Sequence, residues 1–484
     1  MNTITEYSNI HKIELHGKLE LLTPLHIGSG SSENSDLDIL LDANGKPYIP
    51  GTSIAGVIRH YMKALDDKFD LFFGKERKES DDTEKGQQSN IVFYDSHLIT
   101  EAQKNETFKP KIRDGIRLSE KTAIVEDGAK YDYEILDPGV TFEFKIVLKY
   151  SDEEKENAKS FLKTIENLLS NEKLQFGANS NNGFGKVKLI QPEYKIYEVD
   201  SVESVWNRIF QTSKQNKLEA KQIEIIPNEF SIYLIANLES SLIIGDTDPD
   251  SESDKTHIKS NGKPVLTGST LKGVIRSRLI QILNTISKEK NDKYLKLKYG
   301  LLGYVKEEFE DFEFKEIQKI FDKKNQKISA IQGRLIVQEK NIENTQTQLQ
   351  PRIKIDRFTG GTIESALFDS MPVFTDAKSP SEIKIQFSIN SKQFDEWKEA
   401  AGLLLLVLKD FWTGMLAIGG EKNIGRGRLI GKEAIITWKE DNTKREVSLK
   451  NENGKPKPSS VEGWQKLNQF VIQLNQYLGD KHGN

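Results

Sequence analysis

The sequence predicts an α+β protein made of two tandem ferredoxin-like (RRM-like) units, each with β-α-β-β-α-β order and a hairpin insertion. Three observations carry that expectation. The stretch Gly45-Lys-Pro-Tyr-Ile-Pro-Gly-Thr-Ser-Ile-Ala-Gly-Val-Ile-Arg59 returns as Gly262-Lys-Pro-Val-Leu-Thr-Gly-Ser-Thr-Leu-Lys-Gly-Val-Ile-Arg276, an offset of 217 residues (262 − 45). At the same offset Leu22–Gly28 matches Glu239–Gly245, so one unit has been used twice. Each copy also closes on a Gly-rich loop followed by a strand, Asn181-Asn-Gly-Phe-Gly-Lys186 and Asn423-Ile-Gly-Arg-Gly-Arg428.

The elements follow in order. Ile13–Leu22 and Phe230–Leu238 alternate apolar and polar residues as half-buried strands do. Polar loops follow, holding Asp36, Asp38 and Asp42 in copy one and Asp246 to Asp254 in copy two. A Gly-Lys-Pro turn then leads to a helix at about 53–66 whose apolar residues, Ile54, Val57, Ile58, Tyr61, Met62 and Leu65, recur at helical spacing. Its counterpart runs over about 269–287. Asn90–Asp95 and Gly333–Val337 read as matching strands, and 111–137 and 350–372 as projecting hairpins. Val140–Tyr150 and Ile383–Asn390 are strands, and Asp152–Asn171 and Phe394–Leu408 are helices. The first Gly loop feeds a strand at Val187–Ile190. The charged run 75–88 reads as a solvated insertion. The expected boundaries are 1–192 for the first domain, 193–227 for a linker, 228–437 for the second domain and 438–484 for a tail with an amphipathic helix.

Bulk properties exclude several classes. The 484 residues carry a net charge of −4, so a nucleic acid would be held by local basic patches and not by a polycationic surface. There is no cysteine, hence no disulfide framework and no thiolate metal site. No signal-peptide pattern opens the chain and no apolar run is long enough to span a membrane, so a cytoplasmic protein is expected. No HExxH, His pair or nucleophile elbow supports hydrolase chemistry of those kinds.

Three constellations point to chemistry. Gly51 with Thr52 and Ser53, and Gly268 with Ser269 and Thr270, open helices that carry Arg59 and Arg276 inside; Lys272 joins the second. A capped helix packed on a sheet has this pattern, and so does an anion site, where amide N–H groups and the helix dipole meet a phosphate. The Gly loops carry Lys186, Arg426 and Arg428, cations suited to a phosphate chain; alternatively they are hairpins that need close backbone approach. They are neither Walker A loops nor dinucleotide fingerprints, since a strand follows them. Asp36, Asp38 and Asp254 occupy corresponding loops. Surface loops commonly hold Asp, but a carboxylate beside a ribose 2′-hydroxyl would promote attack on the adjacent phosphodiester. A free Asp, with a pKa of about 4, is a weak base at neutral pH, so positioning and a divalent cation would supply most of the effect. His26 has Ile243 as its counterpart and reads as structural; His257 is a weak acid–base candidate.

Pro24-Leu-His-Ile-Gly28, Asp36-Leu-Asp-Ile-Leu-Leu-Asp42, the Gly45–Gly56 stretch and Asn182-Gly-Phe-Gly185, with Ile355-Asp-Arg-Phe-Thr-Gly-Gly361 and Gly425-Arg-Gly427 in copy two, resemble the RAMP superfamily of CRISPR-associated proteins. More narrowly, they resemble the backbone subunits of type III effector complexes. The resemblance covers roughly 12–190 and 228–435. It implies a palm that grips guide RNA (crRNA), a hairpin thumb that wedges between bases, and a loop Asp that promotes cutting of complementary target RNA at about six-nucleotide spacing with divalent Mg or Mn. By position that Asp is Asp36, with Asp38 as the fallback. In copy two strict register puts Ser253 opposite Asp36, and Asp254 one place on. Lys272, Arg276, Lys354 and Arg357 would touch RNA. Implied partners are crRNA, target RNA, a large polymerase-like subunit, further RAMP subunits and a small subunit. Two domains in one chain resemble fused backbone subunits of type III-D-like complexes. The alternatives are a non-catalytic scaffold or guide 3′-end capping subunit, and a stand-alone guide-processing ribonuclease.

Overall fold

The computed structural model describes residues 11–30, 36–65, 67–75, 86–99, 110–119, 125–198, 206, 218–219, 227–246, 253–287, 289–305, 311–321, 330–376 and 379–479. The first repeat runs β1 (His11–Leu21), α1 (Gly51–Leu65), β2 (Ile91–Phe93), β3 (Lys111–Leu118), β4 (Val125–Ile135), β5 (Thr141–Tyr150), α2 (Lys155–Ser170) and β6 (Val187–Tyr197). The second runs β7 (Glu229–Leu238), β8 (Lys255–His257), α3 (Gly268–Ile286), α4 (Asp292–Leu302), α5 (Asp311–Phe321), β9 (Leu335–Val337), β10 (Gln350–Ile355), β11 (Thr362–Met371), β12 (Glu382–Asn390), α6 (Trp397–Trp412), β13 (Leu429–Glu440), β14 (Thr443–Glu452), β15 (Lys455–Pro458) and α7 (Val461–Leu478).

The chain divides into two compact units. One comprises Met1–Arg113, Asp132–Ser180 and Phe184–Ile225; the other comprises Asp114–Tyr131, Asn181–Gly183 and Ile226–Asn484. In the first, β1 lies between β6 and β5, antiparallel to both, and β2 pairs with the outer edge of β5. Alternation along β1 sends Ile13, Leu15 and Leu19 into the core, all fully buried. Ile54, Ile58 and Met62, four residues apart on α1, meet that face, as do Phe161, Leu162, Ile165 and Leu169 of α2. The rings of Phe69 and Phe72 pack on Phe161 at 5.3 and 4.9 Å between centroids.

The second unit repeats the order: β7 lies between β12 and β13, and β9 pairs with β12. Here β13 continues into β14 and β15, extending the sheet to six strands. The segment set apart in sequence as a tail is therefore structural. Its helix α7 brings Phe470, 1% exposed, against Phe230, Trp438 and Trp397 with centroids 5.7, 5.8 and 5.7 Å away. Beneath α3, the buried Asp410 of α6 pairs with Arg278 Nε at 2.6 Å.

The expected strand Val187–Ile190 continues to Tyr197, because Glu193–Tyr197 keep the β1 register beyond a bulge. Most of the charged run 75–88 and of the linker 193–227 lies outside the described residues. No helix among the described residues is long and apolar enough to cross a membrane.

Phe470→Ala opens a cavity where the C-terminal helix meets the sheet. It should lower the stability of the second unit by about 3–5 kcal/mol, read as a drop in the midpoint of its urea transition.

Candidate nucleic-acid interface and loop carboxylates

The loop that leaves β1 does not run free. Asp36 N–H donates to Asp132 Oδ1 at 2.8 Å, and Asp132 N–H donates back to Asp36 Oδ2 at 3.0 Å. One residue on, Leu37 makes a parallel bridge with Tyr133 of β4, and Glu134 N–H donates to Leu37 O at 2.9 Å. Glu134 Oε2 then accepts from Ile39 N–H at 3.0 Å. The loop is thus laced along the return strand of the hairpin.

Copy two keeps the backbone part of this lacing. Asp369 N–H donates to Asp254 Oδ2 at 2.9 Å, and Lys255 and Thr256 pair in parallel with Ser370 and Met371 of β11. These partners make Asp254 the structural counterpart of Asp36, and Asp369 that of Asp132. Strict sequence register, which opposes Ser253 to Asp36, slips by one residue in this loop. Asp38 then corresponds to Thr256, so it has no carboxylate counterpart; it is half-buried opposite Gly30. Asp36 and Asp254 are both exposed.

The shifted register also explains the histidines. His257 pairs with Gly245 as Ile39 pairs with Gly28, so it occupies a core position, 2% exposed. Its Nδ1 accepts from Ile244 N–H at 3.2 Å and its Nε2 donates to Val265 O at 3.1 Å, which fixes the neutral ring. Burial pushes its pKa down from 6.5 to about 4. His26 is buried too, and its Nδ1 donates to Glu134 O at 2.8 Å.

Much of the amide supply of the glycine loops is used internally. Gly185 N–H donates to Pro24 O and Ala178 N–H to His26 O, at 2.7 and 2.8 Å; Gly427 N–H and Gly420 N–H donate to Ser241 O and Ile243 O, each at 2.7 Å. A Cβ on Gly185 would lie 1.7 Å from Phe176 O, and one on Gly427 1.8 Å from Ile418 O, with φ of +74° and +73°. Only glycine fits that approach. Lys186 pairs with Glu172 at 3.3 Å. Arg426 is 3% exposed and pairs with Glu421 at 2.9 Å, which gives its guanidinium a partner inside the fold. Arg428 is exposed.

The helix starts differ between copies. Asp95 Oδ1 accepts Gly51 N–H at 2.7 Å, so a carboxylate of the chain already sits at the α1 N-terminus, with Ser53 half-buried beside it. Arg59 pairs with Asp70 at 3.1 Å and lies over the Phe73 ring. At α3, Thr267 accepts from Thr270 N–H, Ser269 is exposed, and Lys272 and Arg276 stand one turn apart, both half-buried. Burial, then the neighbouring Arg276, brings the Lys272 pKa down to about 8. Lys354 and Arg357 are exposed on the second hairpin. Sequence reasoning missed Asp132, Asp369 and Phe358. Phe358 is 99% exposed at the hairpin tip, and Ile353, Ile355 and Leu367 on the two strands leading to it are exposed as well.

Comparison with known proteins adds a family and a relative. The sequence model of the RAMP superfamily matches residues 18–188 and 236–430, once in each repeat. The CRISPR system Cms endoribonuclease Csm3 of Methanocaldococcus jannaschii is 27% identical over 203 residues, covering 37% of this chain and 78% of that protein.

The His257 ring has a pH consequence. The folded state keeps it neutral to about pH 4, whereas the unfolded chain takes up its proton near 6.5. Stability is therefore full above pH 6.5 and is lost as pH falls through that window, by roughly 3 kcal/mol. His257→Gln should flatten the fall in the urea midpoint of the second unit between pH 6.5 and 4.

Proposed function

This chain belongs to the RAMP superfamily, and we propose that it is a double backbone subunit of a type III, III-D-like CRISPR effector that binds guide RNA and cuts complementary RNA. The observation that carries this reading is the duplicated exposed carboxylate, Asp36 and Asp254, each held by the amide of an Asp on the adjoining hairpin strand. A chance surface Asp would not keep the same backbone partner in both copies. The relative named an endoribonuclease supports the same chemistry.

In this reading both units are ferredoxin-like palms, and β3–β4 and β10–β11 are thumbs. Phe358, with Ile355 beside it and Lys354 and Arg357 nearby, presents an aromatic face and cations to bases and phosphates. Lys272 and Arg276 at α3 hold the guide backbone. Target bases splayed beside a thumb bring a ribose 2′-hydroxyl to the loop Asp, which orients it toward the adjacent phosphorus; the 2′-hydroxyl gives up its proton to solvent as its oxygen bonds phosphorus, the bond to the 5′-oxygen breaks to leave a 2′,3′-cyclic phosphate, and the leaving 5′-oxygen takes a proton from solvent. No group of three or more acidic or histidine side chains is placed to hold a metal among the described residues. A single carboxylate together with substrate phosphates still suits Mg²⁺, which keeps several waters and needs few protein ligands. Asp36 and Asp254 would supply those carboxylates, and the cation would stabilise charge on the phosphate. The guide, the target and the neighbouring large, small and RAMP subunits belong to the same proposal.

The complex reconstituted with guide and labelled complementary RNA in Mg²⁺ tests it. Asp36→Ala and Asp254→Ala should each remove one product, with cuts spaced in multiples of about six nucleotides and guide binding unchanged. Chelation with EDTA should stop both cuts while guide binding persists. An unchanged ladder in both variants and their combination would leave the chain a scaffold.

RNA grip should depend on pH through Lys272. Its ammonium is lost as pH rises through about 8, so guide affinity should fall between pH 7 and 9. Lys272→Arg, which stays charged, should flatten that fall in filter-binding measurements.

A further inference from the structure

The loop carrying Asp36 is fastened to the hairpin strand by side chains as well as by backbone. Asp132 makes a two-way contact: its carboxylate accepts Asp36 N–H at 2.8 Å, while its own N–H donates to Asp36 Oδ2 at 3.0 Å. Oδ2 of Asp36 is thereby occupied, and its other oxygen is left for a ligand. In copy two the amide half of this contact recurs at 2.9 Å between Asp369 and Asp254. The Glu134 side chain, which fastens Ile39 in copy one, has Met371 at its place in copy two. What the two copies share is backbone, the amide of Asp132 or Asp369 on the loop carboxylate and the parallel pairing beside it; the Asp132 carboxylate accepting Asp36 N–H belongs to copy one.

We infer that Asp132 is a positioning residue whose carboxylate and amide together fix the Asp36 loop to the adjoining strand residue, so that the Asp36 carboxylate is held in one orientation. The inference rests on the cleavage reading above. Its physical content is that a carboxylate on a loop of several rotatable bonds is a poor catalyst unless held: a displacement of about 1 Å costs roughly 100-fold in rate. Asp132 needs only an acceptor oxygen for this role, not a negative charge. A metal ligand or general base at the same place would need the charge.

The test is single-turnover cleavage in the reconstituted, guide-loaded complex, following the product assigned to Asp36. Asp132→Ala removes the acceptor and should slow that cut roughly 10- to 100-fold, with target affinity and the Asp254 product unchanged. Asp132→Asn keeps an oxygen for Asp36 N–H and should restore the rate to within about threefold of wild type, with the pH profile unaltered. If Asn fails as Ala does, Asp132 acts through its charge and the positioning role is overturned. If Ala leaves the cut unchanged, it is overturned also. Should Asp36→Ala itself leave the product intact, the cleavage reading falls first, and the two failures are told apart. The Asp254 product, followed in the same reactions, controls for global misfolding.

Discussion

Both units depend on one backbone constraint: the glycine loop before β6, and that before β13, lies against the segment that ends the central strand. Gly185 N–H meets Pro24 O and Gly427 N–H meets Ser241 O at the same 2.7 Å. At that approach no side chain fits, since the Phe176 and Ile418 carbonyls stand where a Cβ would be. The contact fixes where β1 and β7 stop and in which direction the next loop departs. Everything placed on that loop inherits the constraint: its bridge to the hairpin, its carboxylate and its turn into the following helix.

The coarse fold, two mixed α/β repeats built on antiparallel sheets, was legible because its signals are periodic and repeated. Alternation in β1 and β7, helical spacing in α1, and the 217-residue offset all report burial, which a single sequence shows directly. The loop register was not legible. A loop has no period, and the one-residue slip that aligns Asp254 with Asp36 follows from hydrogen bonds to strands more than 90 residues away. Asp132 and Asp369 were hidden for the same reason, since hairpins of different length leave no common offset to align them. Arg426 shows the opposite error in sign: a cation in a glycine loop suggests a phosphate, but here burial pairs it with Glu421. Charge type is visible in a sequence; the side of the backbone it lies on is set by packing.

The two copies agree where backbone meets backbone and differ where only side chains meet. Ile39 and His257 fill the same core position, one by shape and the other by two hydrogen bonds. Ala55 stands in copy one where Lys272 stands in copy two, and Asp95 already occupies the α1 N-terminus. The first unit is therefore the less cationic of the two at that helix start. Duplication here preserved a frame and let the electrostatics of each half drift apart.

The hairpin tip at Phe358 is held by hydrogen bonds of its own turn. Asp356 Oδ1 accepts the N–H groups of Thr359 and Phe358 at 2.8 and 2.9 Å, and those bonds lower its pKa, Thr359 foremost. The Phe358 ring on that turn stands 99% exposed. Covering that ring would cost little backbone entropy and would release the water held against an apolar face.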